Sequence, residues 1–471
     1  MPHRKINQRI VVAAVFTISM FMAIMDSTIV NTALPTMQRQ FAIGSSIDIV
    51  VVAYLVAMAV AIPVSGWIGD HWGVRQIFLV SLAGFTLASA LCGLSNSLTG
   101  LVIARFLQGI AAGLLSPVGT TLLFGTFPPE DRVEVSRILT IPMVIAPATG
   151  PVLGGWLVDA FSWHWVFFVN VPIGLIALIF GLTWLQDLST QNAGNFDWLG
   201  FILAGVGFSG FMYALSEGAT LGWASVPIIV GLLAGTATLA AFIIVELKKP
   251  DPMIQPRLMK DKLFRVSNIV ILLSSAGFMG ILFLVPMFLQ EAVGISALAS
   301  GLTTFPEAVG VALTTQLAAS IYPDVGPRRM MVGGLIFVTL IISVFAFLDL
   351  TPNLWLVRLL MFLIGSGMSF VFLCARVTTF ATIPPESLGR ASALNNALNQ
   401  IGSALGVAVV SSMLAEIGMT QVGADGAMIT NLSAYHVAFV AAAVLALAGS
   451  LISLAMSDRE AAHTMRRRQL L

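Results

Sequence analysis

An all-α integral membrane protein with fourteen transmembrane helices is the fold class this sequence predicts, on three observations. Hydrophobic residues make up 58% of the 471 positions and charged residues only 10%, whereas a soluble globular chain carries about 25% charged residues. Apolar runs of about 20 residues, long enough to cross a bilayer as helix, recur near 10–34, 48–69, 76–95, 99–123, 137–158, 163–185, 197–216, 225–246, 266–290, 297–321, 329–348, 353–375, 388–415 and 433–456. Lysine and arginine, finally, divide very unevenly between alternate loops, which orients a membrane protein.

An even number of spans puts both termini on one side, and the basic residues choose the cytoplasm. Of the 23 Lys and Arg residues, the inner segments then hold Arg4, Lys5, Arg9, Arg75, Arg132, Arg137, the cluster from Lys248 to Arg265, Arg328, Arg329, Arg376, Arg390, Arg459, Arg466, Arg467 and Arg468. Only Arg39 is left outside, while Arg105 and Arg358 lie within spans.

Other functions are excluded by what the chain lacks. A net charge of +1 offers no basic field to a nucleic acid. Cys92 and Cys374 lie in apolar runs and read as small core residues, not as a disulfide or metal site. The five histidines stand in tails, loops or helix ends without metal-ligand spacing. There is no G-x-x-x-x-G-K-[ST] loop, so ATP hydrolysis is not the power source, and no nucleophile–base arrangement marks an enzyme. "MPHRKINQR" runs straight into a spanning segment with no small-residue cleavage site, so no removable signal peptide is expected.

An internal repeat organises the spans. "TFPPEDR" at 126–132 and "TIPPESLGR" at 382–390 each follow a Gly-rich helix, offset by 256 residues; the same offset pairs Gly109 with Gly365 and Gly150 with Gly406. Spans one to six and nine to fourteen therefore read as duplicated six-helix halves, with spans seven and eight inserted between them. The expected domains are an N-terminal bundle over 1–192, the inserted pair and a cytoplasmic linker over 193–262, a C-terminal bundle over 263–458, and a tail over 459–471. Two homologous halves are what an alternating-access transporter requires.

Charged and small residues inside the spans carry the chemistry. Asp26, in "MDSTIVNTALP", places a carboxylate where insertion costs roughly 2.5 to 3.5 kcal/mol. Arg105 lies about 8 Å inside its span at 1.5 Å per residue, and Gln108, one turn on, shares its face; a buried arginine must pair or line water. In "GWIGDHWGVRQIF" (66–78), Gly66 permits close helix approach, Asp70 is free to meet a helix N-terminus or a basic partner, Gly73 permits the turn and Arg75 stays in cytoplasmic water.

This last stretch resembles the signature loop G-x-x-x-D-x-x-G-x-R of the major facilitator superfamily. The resemblance implies that Gly66, Asp70, Gly73 and Arg75 form a latch for the outward-open state; the second-half copy, Asp324, Gly326 and Arg328, is shortened. "ARFLQGIAAGLLSP" (104–117) resembles the family's fourth-helix motif, which implies a link to proton transfer for Arg105, with Gln108 and Gly109 beside it. "APATGPVLGGWL" (146–157) resembles the fifth-helix motif of the antiporters. There Gly150 and Gly154, at i, i+4, make a groove for close helix contact with Gly155 beside it, and Pro147 and Pro151 weaken the backbone ladder. "MDSTIVNTALP" and "SWHWVFFVNVPIG" resemble the fourteen-span drug:proton antiporter branch, which gives Asp26 the task of taking and releasing a proton.

Glu307, in "GLTTFPEAVG", is a second intramembrane acid; a proton or cation site and a structural role both fit it. Asn395 and Asn399 belong to a polar cluster for which interhelical hydrogen bonding is the default and the central cavity the alternative. The function expected is proton-coupled efflux of hydrophobic, amphipathic or cationic drugs across the bacterial cytoplasmic membrane by alternating access, with no cofactor and the proton gradient as power. A narrow physiological substrate (a metabolite, siderophore or lipid) is the nearer alternative, and a non-transporting scaffold or sensor the more distant one. Partners expected are amphiphilic small molecules, protons and lipid; the chain reads as a monomer, and nothing in it demands an adaptor.

Overall fold

The computed structural model describes residues 7–41, 49–127, 131, 135, 145–146, 149–150, 152–187, 195–249, 252–422 and 428–465. Of the residues singled out above, His3, Arg4, Lys5, Arg132, Arg137, Pro147, Pro151, Arg466, Arg467 and Arg468 lie outside these.

Long apolar runs have no water to satisfy their backbone and so close every hydrogen bond internally as helix. The helices are α1 (Gln8–Phe41), α2 (Ile49–Trp72), α3 (Val74–Gly93), α4 (Leu98–Thr126), α5 (152–160), α6 (Trp165–Phe168), α7 (Asn170–Trp184), α8 (Trp198–Leu221), α9 (Val226–Lys248), α10 (Lys262–Met287), α11 (Ala297–Thr304), α12 (Pro306–Val325), α13 (Pro327–Phe345), α14 (Leu354–Thr379), α15 (Leu388–Ile417) and α16 (Leu432–Ser453). Twelve stretches among the described residues are long and apolar enough to cross a membrane. Of the two further spans expected, 137–158 is described only in part, and 297–321 is divided between α11 and α12. The division has a simple cause: Pro306 lacks the N–H that would continue the helical ladder, while Phe305 before it keeps helical angles (φ −49°, ψ −36°).

Side chains and glycines set the helix ends. Ser97, Asp261 and Ser296 cap α4, α10 and α11 by accepting from Gly100, Phe264 and Ala299 N–H groups. Gly73 (φ 94°) and Gly326 (φ 82°) turn the chain from α2 into α3 and from α12 into α13, in a region open to glycine. A short antiparallel hairpin, β1 (Thr420–Val422) with β2 (Met428–Thr430), joins α15 to α16.

The chain forms two compact units. The first comprises residues 1–213, 230–258 and 383–397; the second comprises 214–229, 259–382 and 398–471. In the first, Gly109 and Gly113 bring α4 onto α2, where a Cβ at Gly113 would come within 2.7 Å of the Met58 carbonyl oxygen. Gly150 and Gly154 seat the fifth helix on Thr28, Ile29 and Thr32 of α1. In the second unit Gly310 and Gly365 press α12 onto α14, and Gly402 and Gly406 press α15 onto the Leu272 and Ala276 carbonyls of α10. The glycine pairs found by sequence repetition thus do the same packing work in each unit. Large apolar side chains such as Leu233 and Phe347 point outward, as lipid-facing surface requires.

Candidate functional site

Five helices of the first unit converge on one fully buried carboxylate. Asp26 of α1 is 0% exposed and Arg105 of α4 is 1% exposed; Arg105 Nη1 meets Asp26 Oδ2 at 2.7 Å. The other carboxylate oxygen, Oδ1, accepts from Gln108 Nε2 at 2.9 Å and from Asn170 Nδ2 at 2.7 Å. Arg105 Nη1 also donates to Gln108 Oε1 at 2.8 Å, so the two α4 side chains, three residues apart on one helix face, brace each other. Arg105 Nε reaches the Val50 carbonyl at 3.4 Å, and the guanidinium lies 4.2 Å from the Tyr54 ring centroid, both on α2. That is cation–π distance. Ser89 of α3 accepts from Asn170 Nδ2 at 3.1 Å and donates to the Phe167 carbonyl at 3.0 Å.

An apolar shell closes the network, with Val50, Cys92, Ala104, Trp163 and Phe167 all buried beside it. Met20, Met22 and Met25, which flank Asp26 in sequence, are buried as well and pack in the core. Both Asp26 oxygens are occupied, by three donors in all. Besides Asp26, Arg105 has Gln108, the Val50 carbonyl and the Tyr54 ring as partners.

Sequence reasoning placed Asp26, Arg105 and Gln108 here but missed Asn170, Ser89 and Tyr54. A lone asparagine in the apolar run "FFVNVPIG" was the available signal, since a polar side chain inside a span needs a partner.

The latch residues lie elsewhere in the same unit. Gly66 packs where a Cβ would come within 3.0 Å of the Gly389 carbonyl, and Asp70 Oδ1 lies against Gly389 in the first turn of α15. Asp70 thus meets a helix N-terminus, with the Arg390 charge acting on it. Arg75 is half-buried; it donates to the Leu182 carbonyl at 3.3 Å and lies 3.7 Å from Asp187. Gly155 differs from Gly150 and Gly154 in facing open space: a Cβ there would meet nothing within 4 Å.

In the second unit Glu307 follows the α11–α12 break, is 6% exposed, and leaves its Oε1 without a hydrogen-bond partner among the described residues. Asn399 accepts from Ser275 at 2.7 Å, an interhelical bond of the default kind; Asn395 is half-buried on the same helix. Arg358 stacks 4.5 Å from the Trp355 ring. Among the described residues no group of three His, Cys, Asp or Glu side chains is arranged to hold a metal.

The sequence profile of the Major Facilitator Superfamily matches residues 16–197 and again 194–407. The chain belongs to the major facilitator superfamily. It is 30% identical to a multidrug resistance protein B homolog of Mycobacterium tuberculosis over 412 residues, 85% of this chain and 75% of that one. It is also 30% identical to multidrug resistance protein 3 of Bacillus subtilis over 400 residues, 84% and 78% of the two chains. An uncharacterized transporter of the same superfamily from Bacillus subtilis, YhcA, is 28% identical over 84% of this chain and 74% of its own. The crystal structure of the human organic anion transporter MFSD10 superposes with a TM-score of 0.68 over 94% of this chain and 99% of that one, at 14% identity; it shares the fold. This major facilitator is a multi-pass membrane transporter related to proteins named for multidrug resistance, and not an enzyme.

Proposed function

We propose that this transporter is a drug:proton antiporter with fourteen spans and both termini in the cytoplasm, which exports hydrophobic, amphipathic or cationic compounds across the bacterial inner membrane. The observation that carries this reading is the buried Asp26–Arg105 pair, whose carboxylate is fully occupied by donors from α4 and α7. The names of the multidrug resistance relatives support the cargo class.

Protonation of Asp26 neutralises it and frees Arg105 from Oδ2, while Gln108, Val50 and Tyr54 retain the guanidinium. The α1–α4 contact is thereby weakened in one protonation state and restored in the other. Coupled to movement of two six-helix halves, over 1–192 and 263–458, this links proton entry to solute exit. Glycines 150 and 154, with Pro151 between them and Gly155 beside, let the fifth helix slide along α1. Gly66, Asp70, Gly73 and Arg75 hold one end state against α15, and Gly109 keeps α4 on α2. Glu307 serves as a second proton or cation site, and Asn395 and Asn399 contribute polar surface. The protein works as a monomer without cofactor, powered by the proton gradient.

Efflux from cells stripped of other pumps, screened over a chemically broad panel with and without an uncoupler, tests this. Several unrelated amphiphiles should be expelled, the uncoupler should stop all of them, and Asp26→Asn should be inserted but inactive. Uncoupler-insensitive efflux, or normal efflux by Asp26→Asn, contradicts the proposal.

A further inference from the structure

Glu246 ends α9, where a carboxylate reads from sequence as a solvated cap, yet it is 0% exposed. Its Oε2 accepts from the Ile254 N–H at 3.0 Å, so the chain after α9 folds back over it and buries Met253 and Ile254. Asp197, one residue before α8, is buried beside it; its Oδ1 accepts from Gly200 N at 2.7 Å and is ion-paired with Lys249.

The remaining oxygens, Glu246 Oε1 and Asp197 Oδ2, are buried and meet no donor among the described residues. Both crowd the same spot over Gly200, where a Cβ would lie 2.7 Å from Glu246 Oε1 and touch Asp197 Oδ2. The two side chains are within hydrogen-bonding reach of each other. Ionised carboxylates only accept, so two such oxygens facing each other out of water repel unless a proton lies between them. Lys249 offsets one negative charge and leaves the second. No other cation answers it among the described residues: Lys248 is exposed, Arg257 donates to the Leu247 carbonyl at 2.8 Å, and His71 of α2 stacks on Trp67, which meets Phe196.

We infer that Asp197 and Glu246 bind one shared proton, making the inserted helix pair a separate proton site that clasps the linker at Ile254 to the bases of α8 and α9. It differs from Asp26 in kind, since no side chain or backbone group among the described residues donates to the facing oxygens, and the proton takes that place. Release of that proton sets two buried negative charges against each other and loosens the Ile254 contact. The clasp is therefore intact at lower pH and is lost as pH rises through the titration of the pair.

Infrared spectra and thermal unfolding of the purified full-length protein in detergent test this without any transport assay, so its failure is separate from failure of the exporter reading. The wild-type spectrum at neutral pH should contain one protonated-carboxyl carbonyl band that Glu246→Gln loses and Asp26→Asn retains. Asp197→Asn, whose amide also supplies the missing donor, should lose the same band. The wild-type unfolding temperature should fall as pH is raised, while that of Glu246→Gln stays level over the same interval. A spectrum unchanged by both substitutions, or equal pH slopes for wild type and Glu246→Gln, overturns the inference.

Discussion

In the first repeat, Arg105 stands four residues before Gly109 and Gln108 one residue before it; in the second, Met361 and Ile364 hold the same places before Gly365. The packing that seats Gly150 on Thr28 seats Gly406 on Ala276, so Asp26, two residues before Thr28, corresponds to Ser274. Gly109 lies on the Tyr54 carbonyl and Gly365 on that of Glu307, which makes Tyr54 the counterpart of Glu307. One fold thus holds a compensated acid in its first copy and, in its second, an apolar site with a lone acid moved to the neighbouring helix. These backbone contacts recur in both units while the buried charges do not. Helix packing by glycine is therefore separable from the buried charges, and each is open to substitution by itself.

The largest effect is expected when the first site is given half of the second site's character. Arg105→Met leaves the Asp26 carboxylate buried without its cation and should cost about 3–5 kcal/mol of stability, read as a lower unfolding temperature in detergent. The double variant Asp26→Asn/Arg105→Met removes both charges and should recover most of that loss. A double variant as unstable as the single one would show that Arg105 stabilises through packing alone.

Asn170→Ala comes next. It removes a hydrogen bond to a charged group, worth about 1.5–3 kcal/mol, and should lower thermal stability without abolishing insertion; a silent variant would remove Asn170 from the network. Gly109→Ala and Gly365→Ala should each cost about 1–3 kcal/mol by overpacking against a backbone carbonyl, and by similar amounts if the repeat packing is equivalent. Gly155→Ala, facing open space, should stay within about 0.5 kcal/mol.

A small change in stability is also expected for Glu307→Gln, because its Oε1 has no partner to lose among the described residues. Its effect should appear in function, with cationic cargo transported less well and neutral cargo little altered. Equal loss for both cargo types would remove the cation-recognising role.

The sequence was legible where the chemistry is local. Apolar run length marked the spanning helices, and Arg105 with Gln108 could be placed on one face from their i, i+3 spacing. Gly73 could be read as permitting the turn, and its φ there is 94°. What stayed hidden depends on distant pairing. Asn170 meets Asp26 across 144 positions, and no local pattern selects it over other polar residues in apolar runs. Glu246 reads as an exposed cap because its burial is made by a linker that returns eight residues later. Asp70 could be read as meeting either a helix N-terminus or a basic partner, and local pattern did not point to Gly389, against which it lies. The backbone thus follows from periodicity and small residues, whereas the donors around a buried acid follow from tertiary structure.

The most direct test of proton exchange at Asp26 is to record proton flux while purified protein moves a fluorescent cationic drug across proteoliposomes. Drug movement should be accompanied by protons travelling the opposite way, and Asp26→Asn should lose both. Uphill drug transport with no counterflow of protons, or coupled flux undiminished in Asp26→Asn, would contradict it.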